Sequence, residues 1–133
     1  MAFSIDMSAA ARRHLQAADE LAKGDRKDVA GYLYGIAGEC AIKAMMRYAG
    51  LRFPRDLSRR DHPYFAHFPE LRTMLRDMLR GRRGTLLMTY IQNDAFMNNW
   101  STRMRYSHGR DIRPQWIAAW AEQARQAVAA MDT

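Results

Sequence analysis

The stretch VAGYLYGIAGECAIKAMMRYA, residues 29–49, limits the fold more than any other part of the chain. Val29, Leu33, Ile36, Cys40 and Ala44 follow helical spacing, and Gly31, Gly35, Gly38, Ile42 and Met45 lie on the other side. A helix that is apolar nearly all round belongs in the middle of a fold, with neighbours on several faces. Each glycine costs such a helix about 1 kcal/mol relative to alanine. Three of them on one side predict close approach of a neighbouring helix. Asp25 or Asp28 suits the start of this helix and Gly50 its end. Glu39, Lys43 and Arg47, at i, i+4 and i+8, form its only charged stripe. That stripe reads either as a ladder of ion pairs or as a polar seam facing a site or a partner.

The other segments are helical too, and no alternating strand pattern is present. A first helix is expected from an N-cap at Ser8 to a stop at Gly24, with Leu15, Ala18, Leu21 and Ala22 facing inward. Residues 51–68 read as a loop around Pro54 and Pro63. A third helix follows Pro69, with Leu71, Met74, Leu75 and Met78 inward and Arg72, Arg76 and Arg80 outward, until GRRG at 81–84 breaks it. The periodicity of Leu86, Tyr90, Asn93, Met97, Trp100 and Met104 predicts a long fourth helix from Thr85 to about Gly109. Pro114 opens a fifth, with Ile117, Trp120, Ala121, Ala124, Ala127, Val128 and Met131 on its apolar face. The expected architecture is therefore all-α: an up-and-down antiparallel bundle of about five helices, joined by short connections, in a single domain over 1–133.

At 133 residues the chain is long enough for one real core. No apolar run approaches the roughly 20 residues a membrane-spanning helix needs. The opening MAFSIDMSAAARR lacks the pattern of a secretory signal. The single cysteine, Cys40, has no internal partner, which fits a reducing compartment. A cytoplasmic domain without membrane contact is expected.

The net charge is +7, from 21 Lys+Arg and 14 Asp+Glu. Most of the excess falls on residues 51–83, which hold Arg52, Arg55, Arg59, Arg60, Arg72, Arg76, Arg80, Arg82 and Arg83 against four acidic residues. Such a stripe suits phosphate neutralisation and an RNA or nucleotide partner. A solvated face in an arginine-preferring chain is the plainer reading.

Metal and nucleotide motifs are missing. His14, His62, His67 and His108 are scattered, with no HExxH and no Cys/His cluster. Neither GxxxxGK[ST] nor GxGxxG after a strand occurs. Cys40 reads as a core residue rather than a nucleophile. No metal and no cofactor are expected.

The remaining chemistry lies in WSTRMRYSHGR, residues 100–110. A histidine can move protons to or from a ribose hydroxyl near neutral pH. An arginine can fork onto a phosphate and stabilise its developing charge. Arg103 and His108 are the candidates, with Arg105 and Tyr106 beside them. On a continued helix Arg103 and His108 would sit about 140° apart, at ~100° per residue. They converge only if the helix ends or distorts. The competing reading is a helix C-terminus carrying cations that suit its dipole.

Two stretches together resemble the HEPN family (higher eukaryotes and prokaryotes nucleotide-binding). Residues 11–50 are similar to its opening helical hairpin, with Gly38-Glu39-Cys40-Ala41-Ile42-Lys43-Ala44 in the small-residue second helix. WSTRMRYSH, residues 100–108, falls where the family carries an Arg-x4–6-His ribonuclease motif, and Arg103 and His108 fit it. The resemblance implies an all-α up-and-down bundle that is usually a homodimer. It implies metal-independent RNA cleavage by Arg103 and His108 of two protomers facing each other, commonly leaving a cyclic phosphate. Arg105, Tyr106, Glu39 and Lys43 would then bind substrate. Members of this kind act as toxins or in phage defence, sometimes with a small nucleotidyltransferase antitoxin. Two departures matter. Met104 stands where active members often carry a polar residue. Trp100…Arg105-Tyr106 also resembles the signature of members without the catalytic histidine, which would make the chain a non-catalytic module binding a nucleotide or a protein partner.

Overall fold

The computed structural model describes residues 3–56, 58, 61–80 and 85–133. The GRRG break at 81–84, and with it Arg82 and Arg83, lies outside the described residues, as do Arg59 and Arg60. Among the described residues the chain is all-α, with no strand. Its helices are α1 (Met7–Ala22), α2 (Lys27–Tyr48), α3 (Glu70–Met78), α4 (Leu86–Ile91) and α5 (Pro114–Ala130). No described helix is long and apolar enough to cross a membrane.

The α1 cap is Asp6, not Ser8. Its carboxylate accepts from Ala9 N at 3.0 Å, while Ser8 sits one residue inside the helix and donates to Asp132 at 3.3 Å. α2 begins at Lys27 with no side-chain cap, between the two aspartates considered for that role. It closes as expected at Gly50, whose φ of 86° lies in the left-handed region. Leu51 N reaches back to Met46 O (2.9 Å) and Gly50 N to Arg47 O (3.2 Å), so the last carbonyls are satisfied.

α2 runs through the centre of the fold. Its inward side is the glycine side, where Ala30, Gly31, Tyr34, Gly35, Gly38, Ala41, Ile42 and Met45 are all buried. Val29, Leu33, Ile36 and Cys40 form the less covered side. Gly31 admits Ile117 and Trp120 of α5, so a neighbouring helix does approach there. Gly35 and Gly38 instead admit Trp100 and Met97, which belong to a loop.

α1 is antiparallel to α5. Asp19 meets Arg125 at 3.1 Å, and Arg12 pairs with Asp132 at the other end. α1 and α2 form an antiparallel hairpin across the 23–26 turn, with Tyr34 donating to Asp19 at 2.6 Å. α5 consequently runs parallel to α2, so strict up-and-down alternation over five helices is not kept.

The largest correction concerns α4, which is six residues long and stops at Ile91. Turns follow over 92–99, then two single-turn 3-10 segments, Thr102–Tyr106 and Gly109–Asp111. Asn93 takes its own local bond, Oδ1 accepting from Ala95 N at 3.0 Å. Met97 and Asn99 have φ of 55° and 70°, values no helix contains. The backbone groups released by this break are taken up by side chains from flanking helices. From α3, Arg76 donates to Ile91 O at 3.2 Å, and Arg72 donates to Asp94 O at 3.3 Å and to Phe96 O. From α5, Gln123 accepts from Met97 N (2.7 Å) and donates to Ala95 O (2.9 Å), and Trp120 donates to Asn98 O at 2.8 Å.

α3 therefore does not present its arginines as a free outward row. Leu71 and Leu75 are its buried residues, its C-cap Leu79 is buried as well, and Met78 is exposed. Arg72 is half-buried, its guanidinium pulled below the usual arginine range by desolvation and then by Arg76. Arg76 also pairs with Asp94, and Arg80 lies 3.4 Å from Asp77.

Candidate nucleic-acid interface

Trp100 anchors the 100–110 loop. Its indole is 2% exposed, seated over Gly35, and Nε1 donates to Tyr32 O at 3.2 Å. The Tyr32 ring stacks on it with centroids 5.8 Å apart and planes 15° from parallel. Ser101 starts the first 3-10 turn, its Oγ accepting from Arg103 N at 3.2 Å. Ser107 closes it, donating to Met104 O at 3.0 Å. His108 starts the second turn, Nδ1 accepting from Arg110 N at 3.1 Å. Gly109 rests against Asp28 near the start of α2, where a Cβ would stand 2.5 Å from Oδ2. Asp28 is in turn held by Arg26 at 2.8 Å.

This frame exposes Arg103, Arg105, Tyr106, His108 and Arg110 on one short stretch. Arg105 is positioned. Its Nε donates to Thr102 O at 3.0 Å, and its guanidinium carbon lies 5.9 Å from the Tyr32 centroid and 5.3 Å from that of Tyr106. Tyr106 is 82% exposed. The Arg103 side chain makes no hydrogen bond, ion pair or ring contact with any described residue, and no hydrogen bond joins it to His108. Because no α-helix ends here, the reading of these cations as helix-dipole decoration does not apply, and neither does the 140° separation.

The His108 hydrogen bond carries chemical information. An Nδ1 that accepts from a backbone N–H is unprotonated there, so the neutral ring holds its proton on Nε2. In this arrangement the neutral His108 ring offers a hydrogen bond at Nε2, whereas release of a proton from Nε2 takes the imidazolium, in which Nδ1 is protonated and the Arg110 bond is lost. Accepting a proton at Nε2 requires the other tautomer and loss of the Arg110 bond.

Glu39 and Lys43 lie apart from this loop, inside the fold. Glu39 is 2% exposed. One carboxylate oxygen pairs with His67 Nδ1 at 2.8 Å, and the other accepts from Phe68 N at 2.8 Å. It thus ties the segment before α3 to the central helix. Lys43 is 6% exposed and has no hydrogen bond or ion pair with any described residue, Glu39 included. Desolvation lowers its pKa, with Glu39 opposing. The charged stripe of α2 is thus not an ion-pair ladder. Arg47, the third member, is exposed.

Sequence reasoning missed Tyr32 as part of the loop's support and His67 as the partner of Glu39. Neither has a local signal, since each contact joins segments far apart in the chain. Compared with protein-family models, curated proteins and solved structures, the chain matches none of them.

Proposed function

We propose that the chain is a HEPN-type, metal-independent endoribonuclease acting through the 100–110 loop. The observation that carries this reading is the loop itself: a rigidly anchored turn pair that leaves Arg103, Arg105, Tyr106 and His108 in solvent. Arg103, with its fork uncommitted, binds the scissile phosphate. As the imidazolium, with Nδ1 protonated and the Arg110 bond given up, His108 gives its Nε2 proton to the leaving 5′-oxygen as the 2′-oxygen bonds to phosphorus. Arg105 and Tyr106 hold the RNA. A homodimer brings a second copy of the loop to the other side, where its His108, in the other tautomer, takes the 2′-hydroxyl proton. A toxin or phage-defence role, with a small nucleotidyltransferase as antitoxin, follows from the same resemblance.

One observation favours the non-catalytic alternative. The constructed part of the loop is Trp100, Arg105 and Tyr106, whereas Arg103 and His108 belong to successive turns with no bond between them. Cleavage of RNA in EDTA, wild type beside His108→Ala, separates the two. Cleavage by the wild type alone supports the nuclease, and equal cleavage by both removes His108 from the mechanism. Absence of cleavage in either, with retained binding of a nucleotide or RNA, leaves the binding module.

A further inference from the structure

The aromatic and guanidinium groups of the loop are arranged in series. Trp100 is buried and fixed by its bond to Tyr32 O. Tyr32 stacks on it at 5.8 Å. Arg105 lies over Tyr32 and over Tyr106, and its Nε bond to Thr102 O prevents it from swinging away. The series therefore runs from a side chain 2% exposed to one 82% exposed. An exposed tyrosine that only filled surface would not need a guanidinium held beneath it, nor a buried indole beneath that.

Pre-ordering of this kind lowers the entropic cost of binding. It also selects the ligand. A planar group can extend the stack on the open side of Tyr106, and the nearby cations favour one attached to an anionic backbone. Arg103 and Arg110 are exposed on the same loop. Arg113 is exposed just beyond, with its guanidinium 5.2 Å from the Trp116 ring. Aromatic platforms flanked by cations are how proteins take unpaired bases, because every base has a stackable face. A base inside a duplex is already stacked on both sides and cannot reach the ring.

We infer that Trp100, Tyr32, Arg105 and Tyr106 form a stacking column whose open end, the Tyr106 ring, takes an unpaired base of single-stranded RNA. The inference rests on the proposed function only in taking this loop as the face that meets RNA; it requires no cleavage. Tyr106 on this account positions the strand, and Arg103 and Arg110 contact the phosphates on either side of the stacked base. Recognition is tolerant of base identity and sensitive to base presence.

The test uses binding to a fluorescent 2′-O-methyl oligoadenylate, which offers no 2′-hydroxyl for cleavage, beside the same backbone with abasic sugars and a duplex of equal length. The wild-type chain should bind the oligoadenylate more tightly than either. Tyr106→Ala should weaken that binding by roughly 5- to 150-fold, the range base–aromatic stacking carries, and leave binding to the abasic strand unchanged. Tyr106→Phe should restore it. Equal binding of base-bearing and abasic strands by the wild type overturns the inference, and that comparison stands whether or not a variant folds. So does unchanged affinity of a folded Tyr106→Ala, which would leave the exposed tyrosine to a protein partner. Because the probe is uncleavable, an inactive nuclease can pass this test and an active one can fail it.

Discussion

Trp100 occupies the space that a side chain at Gly35 would need. A Cβ built at position 35 falls inside the indole, against Nε1 and its neighbouring carbons. Because the ring also donates to Tyr32 O one turn away, it cannot retreat without leaving a buried N–H unpaired. Gly35→Ala should therefore destabilise the protein by about 2–3 kcal/mol, despite the gain of about 1 kcal/mol in helix propensity. A thermal melt should show a fall of roughly 10 °C. Gly24→Ala is the control. Nothing nearer than Leu21 O, at 3.9 Å, meets a Cβ there, and its melting temperature should hold or rise.

Glu39 and Lys43 lie one turn apart, yet their substitutions should act in opposite directions. Glu39→Ala leaves Phe68 N buried without its acceptor and His67 without its partner, at a cost of about 2–4 kcal/mol. Glu39→Gln keeps one acceptor and should cost less. Lys43 brings a desolvated cation with no bonded partner, so Lys43→Met should be neutral or stabilising by about 1 kcal/mol. The pH dependence checks the cause. Burial holds the folded Lys43 pKa below its unfolded value, so the unfolded chain binds more protons between the two. Stability should rise with pH across that window in the wild type, and the rise should vanish in Lys43→Met. Denaturant melts at several alkaline pH values measure both.

The helices legible in the sequence were those with punctuation at their ends: Gly24, Gly50, Pro69 and Pro114 all mark real boundaries within a residue or two. α4 was illegible because its apolar spacing continues to Met104 while its backbone does not. What ends it is the offer of side-chain bonds from Arg72, Arg76, Trp120 and Gln123, residues 15 to 28 positions away from their partners. Asn93, Asn98 and Asn99 were the local hint, since asparagine readily takes turn and left-handed conformations. The same non-locality governs the interface. The reactive residues of 100–110 stand out by type. Their support, Tyr32 beneath Arg105 and Gly35 beneath Trp100, exists only once α2 and the loop have packed. The α2 charge stripe misled for a related reason: periodicity sees neighbours along one helix, and the partner of Glu39 comes from a proline-flanked loop.

Asp19 joins three helices, accepting from Tyr34 at 2.6 Å and from Arg125 at 3.1 Å. Desolvation pushes its pKa up, but the bonds from Tyr34 and Arg125 outweigh that and hold it below the usual aspartate range. Burial, then the bond to Asp19, pushes the Tyr34 hydroxyl up to about 12. The signs give two limbs. The Asp19 contribution is present above the unfolded aspartate pKa and is lost as pH falls through the lower folded value. The Tyr34 contribution is present below the unfolded tyrosine pKa and is lost as pH rises toward 12. Tyr34→Phe should flatten both limbs of a stability-versus-pH curve; a curve unchanged at either end would remove that limb from this triad.

Cys40 is half-buried, and desolvation raises its thiol to about 11. Only the thiolate reacts. At pH 8 the folded protein should therefore react with a disulfide reagent on the order of 100-fold more slowly than the same chain in denaturant, where the thiol returns to its ordinary range. A fast reaction in the folded state would show that the less covered side of α2 opens to solvent.

Stability and activity should separate at the loop. The Arg103 side chain bonds to no described residue, so Arg103→Ala should change stability by no more than about 0.5 kcal/mol. His108→Ala removes the acceptor for Arg110 N and should cost about 0.5–1.5 kcal/mol, the ordinary worth of such a bond. His108→Asn is the sharper variant, since an asparagine oxygen can accept the same N–H but cannot transfer a proton. If His108 is the general acid, His108→Asn should melt with the wild type and lose RNA cleavage by about 10²- to 10⁴-fold. Arg105→Ala should do the reverse in part, costing about 1 kcal/mol through its bond to Thr102 O and its ring contacts. Cleavage retained in His108→Asn with the fold intact would assign the chemistry elsewhere and leave the loop as a binding surface.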